Sequence, residues 1–195
     1  MGDITQKWVN LLVPFTAGYS QRLTQSELSR LSGIPQQTAS RYLDSLVKKG
    51  LVSYEKQGRN KLFYIDLQSC TSNVLFSTLE NHKTLEFNHK AKEVSILINE
   101  LLKHAESIIL FGSYAAYKSS KDSDVDIIVA GKAKKDKIKA VKQRFYLPIN
   151  EQYLSYEELA AALKSKNPLA VEIIKNHILF GNTSRIIQIF TEAVL

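Results

Sequence analysis

The chain has 195 residues, of which 44% are hydrophobic and 23% charged, with a formal net charge of +7. That balance is ordinary for a soluble globular protein with one large domain or two small ones, and the basic surplus suits a polyanionic partner without choosing among DNA, RNA and nucleotides. No run nears the roughly 18 apolar residues of a membrane span; Trp8–Phe15 lacks a signal peptide's flanks; and the one cysteine, Cys70, excludes an intramolecular disulfide and fits a reducing cytoplasm.

An opening helix is expected around Ile4–Phe15. Thr24-Gln25-Ser26-Glu27 reads as a capping box, with Glu27 reaching back to Thr24. The short helix it starts carries Leu28 and Leu31 and stops at Ser32-Gly33, where glycine suits a helix end. Pro35 fits the first turn of a second helix, Gln36 to Lys49, whose Ala39, Tyr42, Leu43, Leu46 and Val47 recur at helical spacing and face inward. After Gly50 come two strand-like runs, Leu51–Lys56 and Lys61–Asp66, with Gln57-Gly58-Arg59-Asn60 as the turn of a hairpin with a basic tip.

Helix, turn, helix and basic hairpin in that order resemble a winged helix-turn-helix of prokaryotic transcription regulators, over about residues 4–67. The resemblance implies double-stranded DNA as a partner, with Gln36, Gln37, Thr38, Ser40 and Arg41 on the exposed part of the recognition helix. Glutamine can pair with adenine, arginine with guanine or phosphate, and threonine or serine with either. Arg59 and Lys61 would contact phosphate or the minor groove from the wing. Residues 1–68 hold nine Lys/Arg against five Asp/Glu, a modest surplus for a DNA binder; winged helices also serve as dimerisation or docking modules.

Thr71–His104 reads as helical. Val74, Leu75 and Leu79, then Val94, Leu97, Ile98, Leu101 and Leu102, give apolar stripes at three- and four-residue spacing. The polar middle, Asn81–Lys92, is the expected hinge, and His82 and His89 near it are expected to be solvated. Such a stripe can bury itself within the chain or against a second copy, and a homodimer would supply the two-fold mate of a recognition helix reading a palindrome.

Ser107-Ile108-Ile109-Leu110-Phe111 is an apolar strand ending in Gly112-Ser113. Eleven residues after the serine begins Asp124-Val125-Asp126-Ile127-Ile128-Val129. Residues i and i+2 share a face of a strand, so Val125, Ile127 and Val129 point into a core while Asp124 and Asp126 emerge together. Adjacent carboxylates repel unless a hard cation such as magnesium binds them through oxygen. The glycine permits a tight turn and close ligand approach, and the serine offers a hydroxyl and an N–H to phosphate. Lys132–Arg144 follows with Lys132, Lys134, Lys135, Lys137, Lys139, Lys142 and Arg144 against Asp136 alone; it is either a solvated helix face or a rim that guides an anion to the metal site. Beyond a strand within Phe145–Leu154, helices are expected over Tyr156–Lys164, Leu169–His177 and Arg185–Val194, with a short strand and turn at Ile178–Gly181.

This pattern resembles the signature of the nucleotidyltransferase superfamily of DNA polymerase beta, most closely the minimal nucleotidyltransferases of prokaryotes, over roughly the last 90 residues. The resemblance implies that Gly112 and Ser113 hold a triphosphate, ATP being the expected nucleotide, and that Asp124 and Asp126 bind magnesium or manganese and serve as catalytic residues. A third carboxylate is usual on the next strand. Aligning that strand's end places Gln152 there, with Glu151 beside it as the catalytic candidate. The two face opposite sides of a regular strand, and a bulge near Pro148 would change the parity.

The expected fold is α/β (α+β): a winged helix-turn-helix over 1–68, a helical linker over 69–104, and a nucleotidyltransferase-fold mixed sheet with flanking helices over 105–195. The implied reaction transfers a nucleoside monophosphate from a magnesium-bound triphosphate to an acceptor hydroxyl, a partner protein being one candidate acceptor, and releases pyrophosphate. The alternative is a catalytically inactive, nucleotide-sensing regulator that binds DNA. No membrane partner is expected.

Overall fold

Thr24 begins a helix because its hydroxyl accepts the Glu27 N–H at 3.2 Å while the Glu27 carboxylate accepts the Thr24 N–H at 2.8 Å. Two otherwise unpaired donors are thereby satisfied. The structure, a computed structural model, describes residues 6–120 and 123–195. They form two compact units, Met1–Leu79 with Val194–Leu195, and Glu80–Ala193.

In the first unit, α1 (Gln6–Leu12) and a 3-10 turn (Val13–Thr16) bury Trp8, Leu11, Leu12 and Phe15. Ile4, where the opening helix was expected to begin, lies outside the described residues. β1 (Leu23–Thr24) leads into α2 (Gln25–Ser32), which ends on Gly33 at φ +69°. Pro35 then serves as the N-cap of α3 (Gln36–Lys48), whose inward face is Ala39, Leu43 and Leu46. β2 (Ser53–Gln57) and β3 (Asn60–Tyr64) pair antiparallel around Gly58-Arg59, a tighter turn than the four residues expected. Two-residue β1 completes the sheet, in the order β1-β3-β2. It is too short to carry a period-2 signal, which is why the sequence gives no sign of it.

α4 (Ser72–Lys90) stays helical through most of the polar stretch expected to be a hinge, and the break falls inside that stretch, at Ala91, before α5 (Lys92–Leu102). The polar residues are used inside the second unit. Glu80 is fully buried, its carboxylate 2.9 Å from Lys83 Nζ and 3.0 Å from Nε2 of the equally buried His177. His177 Nδ1 donates to the Ile173 carbonyl at 2.9 Å, and the Thr84 hydroxyl donates to the Leu179 carbonyl at 2.8 Å. α5, read from sequence as part of a connection, packs Val94, Leu97, Ile98 and Leu101 into the core of the second unit.

The sheet of that unit comprises β4 (Ala105–Phe111), β5 (Val125–Ala133), β6 (Ile149–Leu154) and β7 (Ile178–Gly181), in the order β6-β5-β4-β7. β4 lies antiparallel to both β5 and β7, and β5 parallel to β6, so the sheet is mixed. α6 (Gly112–Ala115) follows β4, and α7 (Lys135–Lys142) makes the crossover from β5 to β6. Ile138 and Val141 of α7 meet Val125, Ile127 and Val129 of β5 and Ile108 and Leu110 of β4 in one core. α8 (Tyr156–Lys164), α9 (Pro168–Lys175) and α10 (Thr183–Val194) complete the unit; α8 starts on a second capping box, Ser155 with Glu158. No helix among the described residues is long and apolar enough to cross a membrane.

Burial opposes the charge of Glu80, but the Lys83 ammonium and the His177 imidazole outweigh it and hold its carboxyl at about 2, against an ordinary 4.5. A folded-state value below the unfolded one adds stability that is complete above the unfolded value and disappears as the pH falls toward the folded one. The stability advantage of the wild type over Glu80→Gln should therefore be largest near neutrality and shrink between about pH 4.5 and pH 2. Urea midpoints measured across that window check it.

Candidate functional site

β4 delivers the chain to Gly112 with Phe111 in register against Asp126 of β5. Gly112 has φ +69°, a left-handed conformation suited to glycine. A Cβ built there would lie 2.6 Å from Asp126 Oδ2. The bend and the second aspartate are thus in direct contact, with the carboxylate in space that a side chain would fill. Ser113 beside them is half-buried. Asp124 is exposed one residue before β5, next to buried Val125. The Val125 N–H donates to the Pro148 carbonyl at 2.8 Å, which fixes the start of β5 against the chain entering β6.

The register of β6 corrects the third position. Asp126 pairs with Asn150, Ile127 with Glu151 and Ile128 with Gln152. Asn150 Nδ2 donates to Asp126 Oδ1 at 3.1 Å. The residue beside Asp126 is therefore Asn150, not Gln152, which lies two register pairs further on. Glu151 belongs to the opposite face with Ile127, where it forms an ion pair with Lys142 of α7. That is the parity rule at work, with no bulge within the β5–β6 register to reverse it. Asn150 could have been found by counting from the start of the strand, where Ile149-Asn150 follows the proline, instead of from its end.

The donor set is hard oxygen: two carboxylates and, from Asn150, an amide that also offers an oxygen. Such donors suit magnesium or manganese. Asp124 and Asp126 would hold the ion, and its charge would offset that of a neighbouring phosphate. Among the described residues no group of three or more His, Cys, Asp and Glu side chains converges as a metal site. Of the basic segment, Lys132, Lys134, Lys135, Lys137, Lys139 and Arg144 are exposed, whereas Lys142 is committed to Glu151 and Lys135 Nζ lies 4.8 Å from the Tyr153 ring centre.

On the first unit, Gln36, Gln37 and Arg41 are exposed on α3 and Thr38 and Ser40 are half-buried. Gln36 is also tied to α2: its amide donates to Ser26 Oγ at 3.2 Å, and its carbonyl accepts from Gln25 at 3.2 Å. Arg59 at the hairpin tip and Lys61 on β3 are exposed, with Lys61 Nζ 4.6 Å from the Tyr54 ring centre. Arg22, which sequence reasoning passed over, stacks on Tyr64 at 4.6 Å and approaches the Glu55 carboxylate at 3.4 Å, so part of its charge is already matched.

Residues 15–61 match the model of the MarR family. Residues 96–185 match the model of polymerase beta nucleotidyltransferases. No curated protein matches the chain. Solved structures with partial likeness include a predicted DNA-binding transcriptional regulator from E. coli (24% identity, 36% of this chain and 73% of that one, TM-score 0.31). Another is Sso10a-2, a DNA-binding protein from Sulfolobus solfataricus (18%, 48% and 94%, TM-score 0.33). A third is TrmBL2, an archaeal chromatin protein (16%, 82% and 67%, TM-score 0.27).

Gly112→Ala should lower stability by about 1–2 kcal/mol through its left-handed backbone and push the Asp126 carboxylate off its hydrogen bond with Asn150. Denaturant midpoints together with the Asn150 side-chain amide resonances check both effects. An unchanged midpoint and an unchanged spectrum would contradict the contact.

Proposed function

Because the chain carries a MarR-type winged helix domain followed by a nucleotidyltransferase domain of the polymerase beta type, we propose that it is a DNA-binding regulator whose second domain binds a magnesium–nucleoside triphosphate and responds to it without transferring the nucleotide. The observation that carries this reading is the hydrogen bond from Asn150 to Asp126, together with the diversion of Glu151 to Lys142. Nucleotidyl transfer makes a bond from an acceptor oxygen to the α-phosphorus and breaks the bond to pyrophosphate, and the acceptor's proton must go to a base. An amide does not take a proton near neutral pH. Binding asks less: the Gly112-Ser113 bend for phosphate, and Asp124 and Asp126 for a metal that offsets its charge.

The exposed side chains of α3 and the basic hairpin support double-stranded DNA as the other ligand, with Gln36, Gln37, Thr38, Ser40 and Arg41 toward base edges and Arg59 and Lys61 toward phosphate. A protein that must be reversible gains from not consuming its signal. Nucleotide would then shift DNA affinity by its differential affinity for the free and DNA-bound forms. The transferase reading uses the same bend and the same acid pair, and requires one of the two aspartates to take the acceptor's proton.

Incubation with labelled ATP and magnesium should show binding but no label on the protein or on any partner, and transfer of label would overturn the sensor reading. Replacing both Asp124 and Asp126 by Asn should abolish magnesium-dependent binding while the circular dichroism spectrum is retained. Binding to duplexes from the protein's own promoter region should weaken with salt, and Arg59→Ala with Lys61→Ala should reduce the log–log slope by roughly 2, near 0.9 per lost phosphate contact.

A further inference from the structure

Tyr117 follows α6 in the left-handed region, at φ +54°. Its N–H donates to the Tyr114 carbonyl at 3.2 Å, and the Lys118 N–H donates to the Ser113 carbonyl at 2.9 Å. These are the paired bonds of a Schellman helix end, whose left-handed position favours glycine. At the end of α3 the same pair, Gly50 to Val47 and Leu51 to Leu46, closes on a glycine at φ +67°. Tyrosine in that place holds a backbone strain that glycine would not. Tyr19 and Lys166 also have positive φ, but Tyr19 is fully buried and Lys166 points to solvent. Tyr117 instead lines a cavity of about 360 Å³.

That cavity is walled by Phe87, Lys90, Lys92, Glu93, Tyr114 and Tyr117. The Phe87 and Tyr117 rings lie 6.2 Å apart, and Lys90 Nζ lies 5.1 Å from the Tyr117 ring centre. Lys90 is also 3.5 Å from the Glu86 carboxylate, and Lys92 and Glu93 add one charge of each sign to the wall. The wall thus mixes cations and carboxylates instead of clustering cations, which suits a neutral, planar, polar ring better than a phosphate. Aromatic faces stack on any base, while Glu93 can accept from ribose hydroxyls or an exocyclic amine. Burial, with help from Glu86, raises the Tyr117 phenol, so the ring offered to a base carries no charge.

We propose that this cavity receives the base and ribose of the nucleoside triphosphate whose phosphates lie at Gly112-Ser113. The proposal rests on the nucleotide-binding reading above and extends it with a nucleoside subsite. Ser113 lies at the start of α6 and Tyr117 just past its end, with the Lys118 N–H bonded to the Ser113 carbonyl at 2.9 Å; four residues of helix span about 6 Å, a separation on the scale of one nucleotide. Stacking of this kind selects for the presence of a base more than for its identity.

Calorimetric titration of the full chain in magnesium, with ATP and with inorganic tripolyphosphate, tests it. ATP should bind more tightly than tripolyphosphate. Tyr117→Gly, which suits the backbone, should weaken ATP about tenfold, the worth of one stacked base, and leave tripolyphosphate unchanged. Tyr117→Phe should keep ATP affinity near the wild-type value. Equal affinity of the wild type for the two ligands, or an equal loss of both in Tyr117→Gly, would overturn the nucleoside subsite while leaving the phosphate and metal seat standing. Failure of both ligands to bind would remove the nucleotide reading along with it.

Discussion

A carboxylate oxygen of Asp126 occupies space that any side chain at position 112 would need. Strand pairing explains how this comes about. Phe111 and Asp126 are partners on adjacent strands, so the residue after Phe111 must turn away immediately, and only a glycine can turn with positive φ while leaving room for the acid. The bend and Asp126 are held together by the pairing of β4 with β5, in a sheet whose core face is filled by Ile108, Leu110, Val125, Ile127 and Val129. The geometry is therefore set by the core and does not wait for a ligand.

The same sheet shows which features could be read in the sequence. The bend and its neighbour Asp126 were readable because the alternation of an acid with β-branched residues within a few positions fixes the face of Asp126. The third position was not. It depends on the register between β5 and β6, which are separated by α7, and that register follows from tertiary contacts such as the Val125 hydrogen bond to Pro148. Counting from the wrong end of β6 displaced the assignment by two residues and kept the parity, so Gln152 shares a face with Asn150 while Glu151 does not. The helices behaved similarly. The apolar stripe of α5 announced a buried face without naming its partner, which proved to be the sheet core.

Polar residues were legible only in part. The break expected within Asn81–Lys92 is present at Ala91, but the polar residues before it are not all left to solvent. Glu80, Lys83 and Thr84 instead reach His177 and Leu179. Buried charges of this kind are weak evidence for net stability. What they do supply is a penalty for any arrangement that leaves Glu80 unpaired. Lys142, similarly, counts toward a basic surface in the sequence and is internally neutralised by Glu151 in the fold. Of that basic run, six of the seven cations remain exposed.

Among the described residues β6 is an edge strand, with β5 on one side and no further strand of its sheet on the other. Asn150, on this outermost strand, is exposed. An acid and its amide have nearly the same shape, so exchanging one for the other here would leave the ladder and the core intact. Descendants of such a domain could therefore move between modifying other molecules and merely detecting a metabolite by altering one peripheral atom, while the rest of the architecture is inherited unchanged.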